Sequence, residues 1–149
     1  MSVQNEHVEL GVLTELVGYH LRRASSTFAG DFARALEGTG MRQVPFGILS
    51  VVDANPGINQ GAAGRVLGIQ RANMVAIINE LVDRGWIERK VPAGDRRAFA
   101  LAMTPAGKAQ LAQSLARIRE HEEQMLSGFD ADDRAQLLSL LARIEAKER

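Results

Sequence analysis

The chain has 149 residues, 46% hydrophobic and 24% charged, a mixture that suits one domain with its own core, or a small domain with a helical arm, and excludes a disordered composition. It has no cysteine, which excludes disulfides, thiolate metal sites, cysteine nucleophiles and cysteine redox sensing. Its 18 Lys and Arg balance its 18 Asp and Glu, so net charge taken alone argues against a polyanionic partner.

The distribution of charge says otherwise. Residues 59–97 carry Arg65, Arg71, Arg84, Arg89, Lys90, Arg96 and Arg97 against Glu80, Asp83, Glu88 and Asp95, while the flanking stretches are slightly acidic. A positive excess confined to the middle segment is the pattern a local DNA-binding face needs, although ordinary surface variation also produces it. No run of about 18 apolar residues occurs, and the N-terminal MSVQNEHVEL is acidic, so neither a membrane span nor a signal peptide is expected. A cytoplasmic location is the default.

In chain order, Leu10, Leu13, Val17, Leu21, Phe28 and Phe32 fall mostly at helical steps and predict one long amphipathic helix from about Val8 to about Leu36. Gly38 and Gly40 break it. A second helix fits Pro45 to Ala54, followed by an Asn55-Pro56-Gly57 turn. Asn59 caps a short third helix, Gln60 to Leu67, which Gly68 closes. A fourth runs from about Gln70 to Arg84 and stops at Gly85. Then Trp86–Val91 and Ala98–Met103 read as strands of one small hairpin around Pro92-Ala93-Gly94-Asp95. Thr104-Pro105 starts a fifth helix with Leu111, Leu115, Ile118, Met125 and Leu126 on one side. Asp130 caps a sixth, striped by Leu137, Leu138, Leu140, Leu141 and Ile144.

Two short helices joined by a tight glycine turn, about Gln60 to Arg84, form a helix-turn-helix unit. At ~100° per residue its second helix places Val75, Ile78, Leu81 and Val82 toward the core and Ala72, Asn73, Ala76 and Glu80 away from it. Small residues on that outer face let the backbone approach base edges, and Asn73 has the paired donor and acceptor that adenine accepts. Arg71, near the helix start, reaches a phosphate or a guanine. The hairpin that follows, with Arg89, Lys90, Arg96 and Arg97 around its turn, has the composition of a wing, since arginine suits a narrow minor groove. Asp95, two residues before Arg97, is placed to orient that guanidinium.

The segments Asn55-Pro56-Gly57-Ile58-Asn59-Gln60, Leu67-Gly68-Ile69, Glu80 through Arg89, and Gly94-Asp95-Arg96-Arg97 through Thr104-Pro105-Ala106-Gly107 resemble the MarR family of winged helix-turn-helix transcriptional regulators. The likeness is close over about Met41 to Leu111. Gln70 stands where that family usually has a serine or threonine cap, Ala63-Gly64 replaces a more common Leu-Ala pair, and Met103 replaces a leucine. Gly61 and Gly64 leave the third helix either loose or packed unusually close.

The resemblance implies a mainly α fold with a small β-hairpin wing, and an obligate homodimer built from the first, fifth and sixth helices. Residues 1–40 and 105–149 would form the dimerisation arms and 41–104 the DNA-binding domain. It further implies binding to a pseudo-palindromic operator, probed through Gln70, Arg71, Ala72, Asn73, Ala76, Arg89, Lys90, Asp95, Arg96 and Arg97. Release would follow when a small anionic or phenolic effector binds, or when another signal arrives. Pockets in this family tend to lie between the dimerisation helices and the winged domain, which makes Tyr19, His20, Arg22 and Arg23 candidate ligand contacts; they read equally as a solvated helix face.

An enzyme is the main rival, and little supports it. His7, His20 and His121 sit singly, no phosphate loop or nucleophile elbow is present, and Asp130, Asp132 and Asp133 are what a helix start attracts. No cofactor is expected. A helical interaction module without DNA binding is the second rival, and the basic wing speaks against it.

Overall fold

The computed structural model describes residues 8–91 and 99–147. A single-turn helix at Gly11–Glu15 leads into α1 (Val17–Ala35) and α2 (Gln43–Ala54), then β1 (Ile58–Asn59), α3 (Gln60–Leu67), α4 (Arg71–Asp83), β2 (Ile87–Lys90), β3 (Ala100–Met103), α5 (Pro105–Met125) and α6 (Ala131–Glu145). The fold is mainly α with a small antiparallel sheet, as the sequence implies.

Local chemistry sets most of the boundaries. Asn59 accepts from the Gly61 and Ala62 amides at the start of α3, and Gly68, at φ 67°, ends it in the left-handed region that only glycine enters without strain. Thr104 accepts from the Gly107 amide and Pro105 opens α5, where its missing N–H leaves no helical bond unmade. Asp130 and Asp133 form a reciprocal capping box on α6.

The core lies where α2, α3, α4, the sheet and α5 meet. Ile48, Leu49, Val52, Met74, Ile78, Leu81, Ile87 and Leu101 are all buried there, with Trp86 at the edge. Each such side chain contributes about 1.5–3 kcal/mol by leaving water.

Three sequence expectations change. The long first helix is interrupted at Leu16, whose backbone is extended (φ −93°, ψ 112°). Gly11 takes a positive φ of 60°, Thr14 Oγ1 donates to the Gly11 carbonyl at 3.0 Å, and His20 Nε2 donates to the Thr14 carbonyl at 2.9 Å, so side chains occupy acceptors that a continuous helix would use. The predicted two-stranded hairpin gains β1, giving the order β1-β3-β2 with Ile58 opposite Leu101. In α4, Met74 takes the core position expected for Val75, which is 43% exposed. The third helix is not loose but close-packed: a Cβ on Gly64 would stand 2.8 Å from Met74 Cγ, and the absence of that carbon lets Met74 fill the α3–α4 contact.

The arms are tied on lightly. α1 lies along α5, with His121 Nδ1 3.0 Å from Asp31 Oδ1 and Arg117 Nη1 donating to the Glu37 carbonyl at 3.1 Å. α6 buries no residue against its own chain and is held to the end of α5 by Arg134, paired with Glu123. The hydrogen bond and charge of Arg134 hold the Glu123 carboxyl below its usual range.

α5 enters the core without room for a side-chain carbon. A Cβ on Gly107 would stand 2.0 Å from the Trp86 carbonyl oxygen, a backbone atom fixed by its own bond from the Thr104 amide. Gly107→Ala is therefore expected to cost roughly 3 kcal/mol or more. Gly47→Ala, inside α2 with only Leu67 Cδ2 at 3.7 Å, should instead stabilise by about 0.5–1 kcal/mol. Denaturant unfolding at one fixed protein concentration checks both; equal effects would contradict the packing described.

Candidate nucleic-acid interface

The helix-turn-helix is set by the α3–α4 junction. The Ile69 amide donates to the Gly64 carbonyl at 2.8 Å, and Gln70 begins α4 from an extended backbone without a capping bond from its side chain. With Met74, Ile78 and Leu81 turned inward, Ala72, Asn73, Ala76 and Asn79 are exposed together on the opposite face, and Arg71 is exposed at the first turn. The expected outer-face residues are thus brought together, and Asn79 joins them. The same ~100° arithmetic places Asn79 there, so it was legible in the sequence. Glu80, expected on this face, is only partly free: its carboxylate is bound by Arg42 and Arg84.

A face of alanines flanked by two asparagines suits the major groove. The methyl groups allow close approach and contact thymine methyls, and each amide offers a donor and an acceptor to a base edge. Beside it, β2 carries Arg89 and Lys90 at the base of the wing, opposite Leu101 and Ala100 on β3. Lys90 is exposed, whereas Arg89 is half-buried with its guanidinium 5.3 Å from the centre of the Phe99 ring. That stacking orients the arginine while leaving its donors available. Asp95, Arg96 and Arg97 lie outside the described residues.

Between α3, the start of α4 and the root of the wing lies an open cleft of about 490 Å³, bordered by Asn59, Arg65, Arg71, Val75 and Phe99. Arg65 was counted in the local charge excess but not assigned a contact; its place beside Arg71 emerges only from the fold. The cleft brings Arg65 of α3 and Arg71 of α4 to one surface, with Phe99 beside them at the root of the wing.

A second concavity, of about 450 Å³, lies between the end of α1 and the winged domain. Its walls are Ala29, Phe32, Leu36 and Met41 on the apolar side and Arg42 and Arg84, with Glu37, on the charged side. Tyr19, His20, Arg22 and Arg23 are elsewhere, on the first two turns of α1, where His20 is occupied with the Thr14 carbonyl and Tyr19 stacks edge-on against it. They border neither concavity of the single chain. Among the described residues, no group of three or more His, Asp or Glu could hold a metal ion, and no helix is long and apolar enough to cross a membrane.

Comparison with known proteins supports the same reading. The family model described as MarR family matches residues 39–98. A putative transcriptional regulatory protein for the hcr operon of Thauera aromatica is 30% identical over 135 residues, 90% of this chain and 81% of that protein. The transcriptional repressor CouR bound to a 23-mer DNA duplex is 36% identical with a TM-score of 0.87, covering 93% of this chain and 98% of that one. The same repressor bound to p-coumaroyl-CoA is 34% identical with a TM-score of 0.81, covering 95% and 99%. With a helix-turn-helix, an exposed alanine–asparagine face on its second helix, a basic wing root and these relatives along nearly its whole length, the chain belongs to the MarR family and is a DNA-binding transcriptional regulator.

Proposed function

We propose that this regulator is a repressor that holds a pseudo-palindromic operator as a homodimer in the cytoplasm and leaves it when an anionic aromatic effector binds. The likeness to one repressor in both a duplex-bound and a p-coumaroyl-CoA-bound structure carries this reading. The pocket beneath α1 supports it. Phe32, Leu36 and Met41 suit an aromatic acyl group, and the guanidinium groups of Arg42 and Arg84 suit a carboxylate, phenolate or phosphate.

In the proposed division of labour, residues 41–104 contact DNA while residues 1–40 and 105–149 join two copies. The exposed side chains argue for it. Leu138 is 68% exposed, Leu140 45% and Ile144 46% along one helix, and Val12, Leu16 and Val17 are exposed at the other end of the chain. Apolar stripes of this extent are costly in water and ordinary at a permanent interface. Light scattering at micromolar concentration should give twice the chain mass. Leu138→Glu with Ile144→Glu should halve it or unfold the protein; a monomeric parent would contradict the dimer.

DNA contacts divide into positioning and reading. Gln70, Arg71, Ala72, Asn73 and Ala76 face the major groove; Arg89 and Lys90, with Asp95, Arg96 and Arg97 beyond them in sequence, serve the wing. Lys90→Ala should weaken operator and random duplex alike and lower the slope of log affinity against log salt by about one. Asn73→Ala should cost about 1–3 kcal/mol on the operator and little on random DNA. A salt titration on both duplexes measures the two; identical behaviour of both variants and the parent would remove this interface.

Titration with p-coumaroyl-CoA should lower operator affinity, and Phe32→Ala should blunt the response. An unchanged gel shift at saturating thioester would exclude this class of effector.

A further inference from the structure

The effector pocket and the recognition helix share two guanidinium groups. Arg42 and Arg84 both border the pocket, and both are bound by one carboxylate of α4. Arg42 Nη2 donates to Glu80 Oε2 at 2.6 Å, and Arg84 Nη2 lies 3.4 Å from Glu80 Oε1. Arg84 is fixed from two further sides. Its Nη1 donates to the Gly40 carbonyl at 2.8 Å, and its guanidinium stacks 4.9 Å from the centre of the Trp86 ring. Gly40 has a φ of 75°, and a Cβ there would come within 3.0 Å of Arg84 Nη1, so the α1–α2 loop presses directly on this group.

We propose that Glu80 is an internal stand-in for the effector's anionic group, and that an effector anion loosens the recognition helix by taking Arg42 from Glu80 and competing with it for Arg84. The proposal rests on the reading of this pocket as the effector site. The geometry gives each state its own contacts, as a switch requires. In the empty pocket, the Glu80 carboxylate ties α4 to Arg42 at the start of α2, while Arg84, one turn along the same helix, braces that carboxylate and reaches the Gly40 carbonyl. With an anion in the pocket, Arg42 turns to it and Arg84 receives it in place, because two carboxyl-type charges on the same cations repel each other. Glu80 then loses its anchor, one turn beyond the Ala76 position on the groove face.

The partners are poised for exchange. The Arg42 side chain is 61% exposed and that of Glu80 34%, so water screens the pair and its rupture is a matter of a few-fold in an equilibrium. Arg84, held by the Gly40 carbonyl and the Trp86 ring, stays in place to receive either anion. Reciprocity follows: if the effector weakens operator binding through this exchange, operator binding weakens the effector by the same factor.

Glu80→Gln keeps the side-chain shape and removes the competing charge. Calorimetry with p-coumaroyl-CoA should show affinity about two- to five-fold above the parent, whereas Arg84→Gln should bind more weakly. Without effector, Glu80→Gln should bind the operator about two- to five-fold more weakly, with circular dichroism and mass unchanged. Charge alone predicts the opposite sign, since removing a carboxylate from a DNA-facing helix tightens binding. Should Glu80→Gln not fold, Glu80→Asp, which withdraws the carboxylate by one methylene, reads the same exchange in the same direction. Parent binding of the thioester with no gain in the Glu80 variant overturns the exchange alone. Failure of the parent to bind p-coumaroyl-CoA, p-coumarate or CoA overturns the effector reading and the exchange with it.

Discussion

The backbone contact between the start of α5 and the end of the helix-turn-helix governs the rest of the molecule. Gly107 lies so close to the Trp86 carbonyl that no side-chain carbon fits, the Thr104 amide donates to that same carbonyl at 3.1 Å, and Thr104 Oγ1 donates to the Gly85 carbonyl at 2.5 Å. One four-residue turn, Thr104 to Gly107, thus fastens the long helix to the point where the helix-turn-helix gives way to the wing. Since α1 packs along α5, any tilt of these helices must move Gly85 and Trp86 too. Close-packed backbone transmits such displacement because it has no soft side chain to absorb it.

Arg84 stands at the other side of the same junction. It is the last residue of the α4 region, it stacks on Trp86, and it binds the α1–α2 loop through the Gly40 carbonyl. The second helix of the helix-turn-helix is therefore anchored near its C-terminal end to the α1–α2 loop and to Trp86, with Glu80 bound to Arg42 close by. This polarity suits a reader of DNA. The helix's exposed outer face is built of small and amide side chains, and its C-terminal end, beside the concavity under α1, is built of charges.

The arms show what a single chain leaves unfinished. α1 buries only Ala35 within its own helix and α6 buries nothing, although both carry apolar stripes. The winged domain, by contrast, closes its core with Ile48, Leu49, Met74, Ile78, Leu81 and Leu101. Burial thus divides the chain into a part that is complete alone and a part whose apolar faces await another surface.

Sequence by itself determined the elements whose signals are local. The caps at Asn59, Thr104 and Asp130 and the stop at Gly68 act through bonds to neighbouring amides or through backbone freedom, so three or four residues suffice to read them. The outer face of α4 was legible for a similar reason, because helical geometry fixes which residues share a side. Tertiary structure decided what depends on long-range partners. Met74 rather than Val75 enters the core because Gly64 on another helix leaves space for it. The first helix breaks at Leu16 although its apolar spacing continues, since spacing does not report where Thr14 and His20 send their hydrogen bonds. β1 was missed because two residues carry no periodicity; it exists only through its pairing with β3, more than forty residues away. Glu80 was read as one polar residue on an open face, and only the approach of Arg42 across 38 positions of chain turns it into a link between helix and pocket.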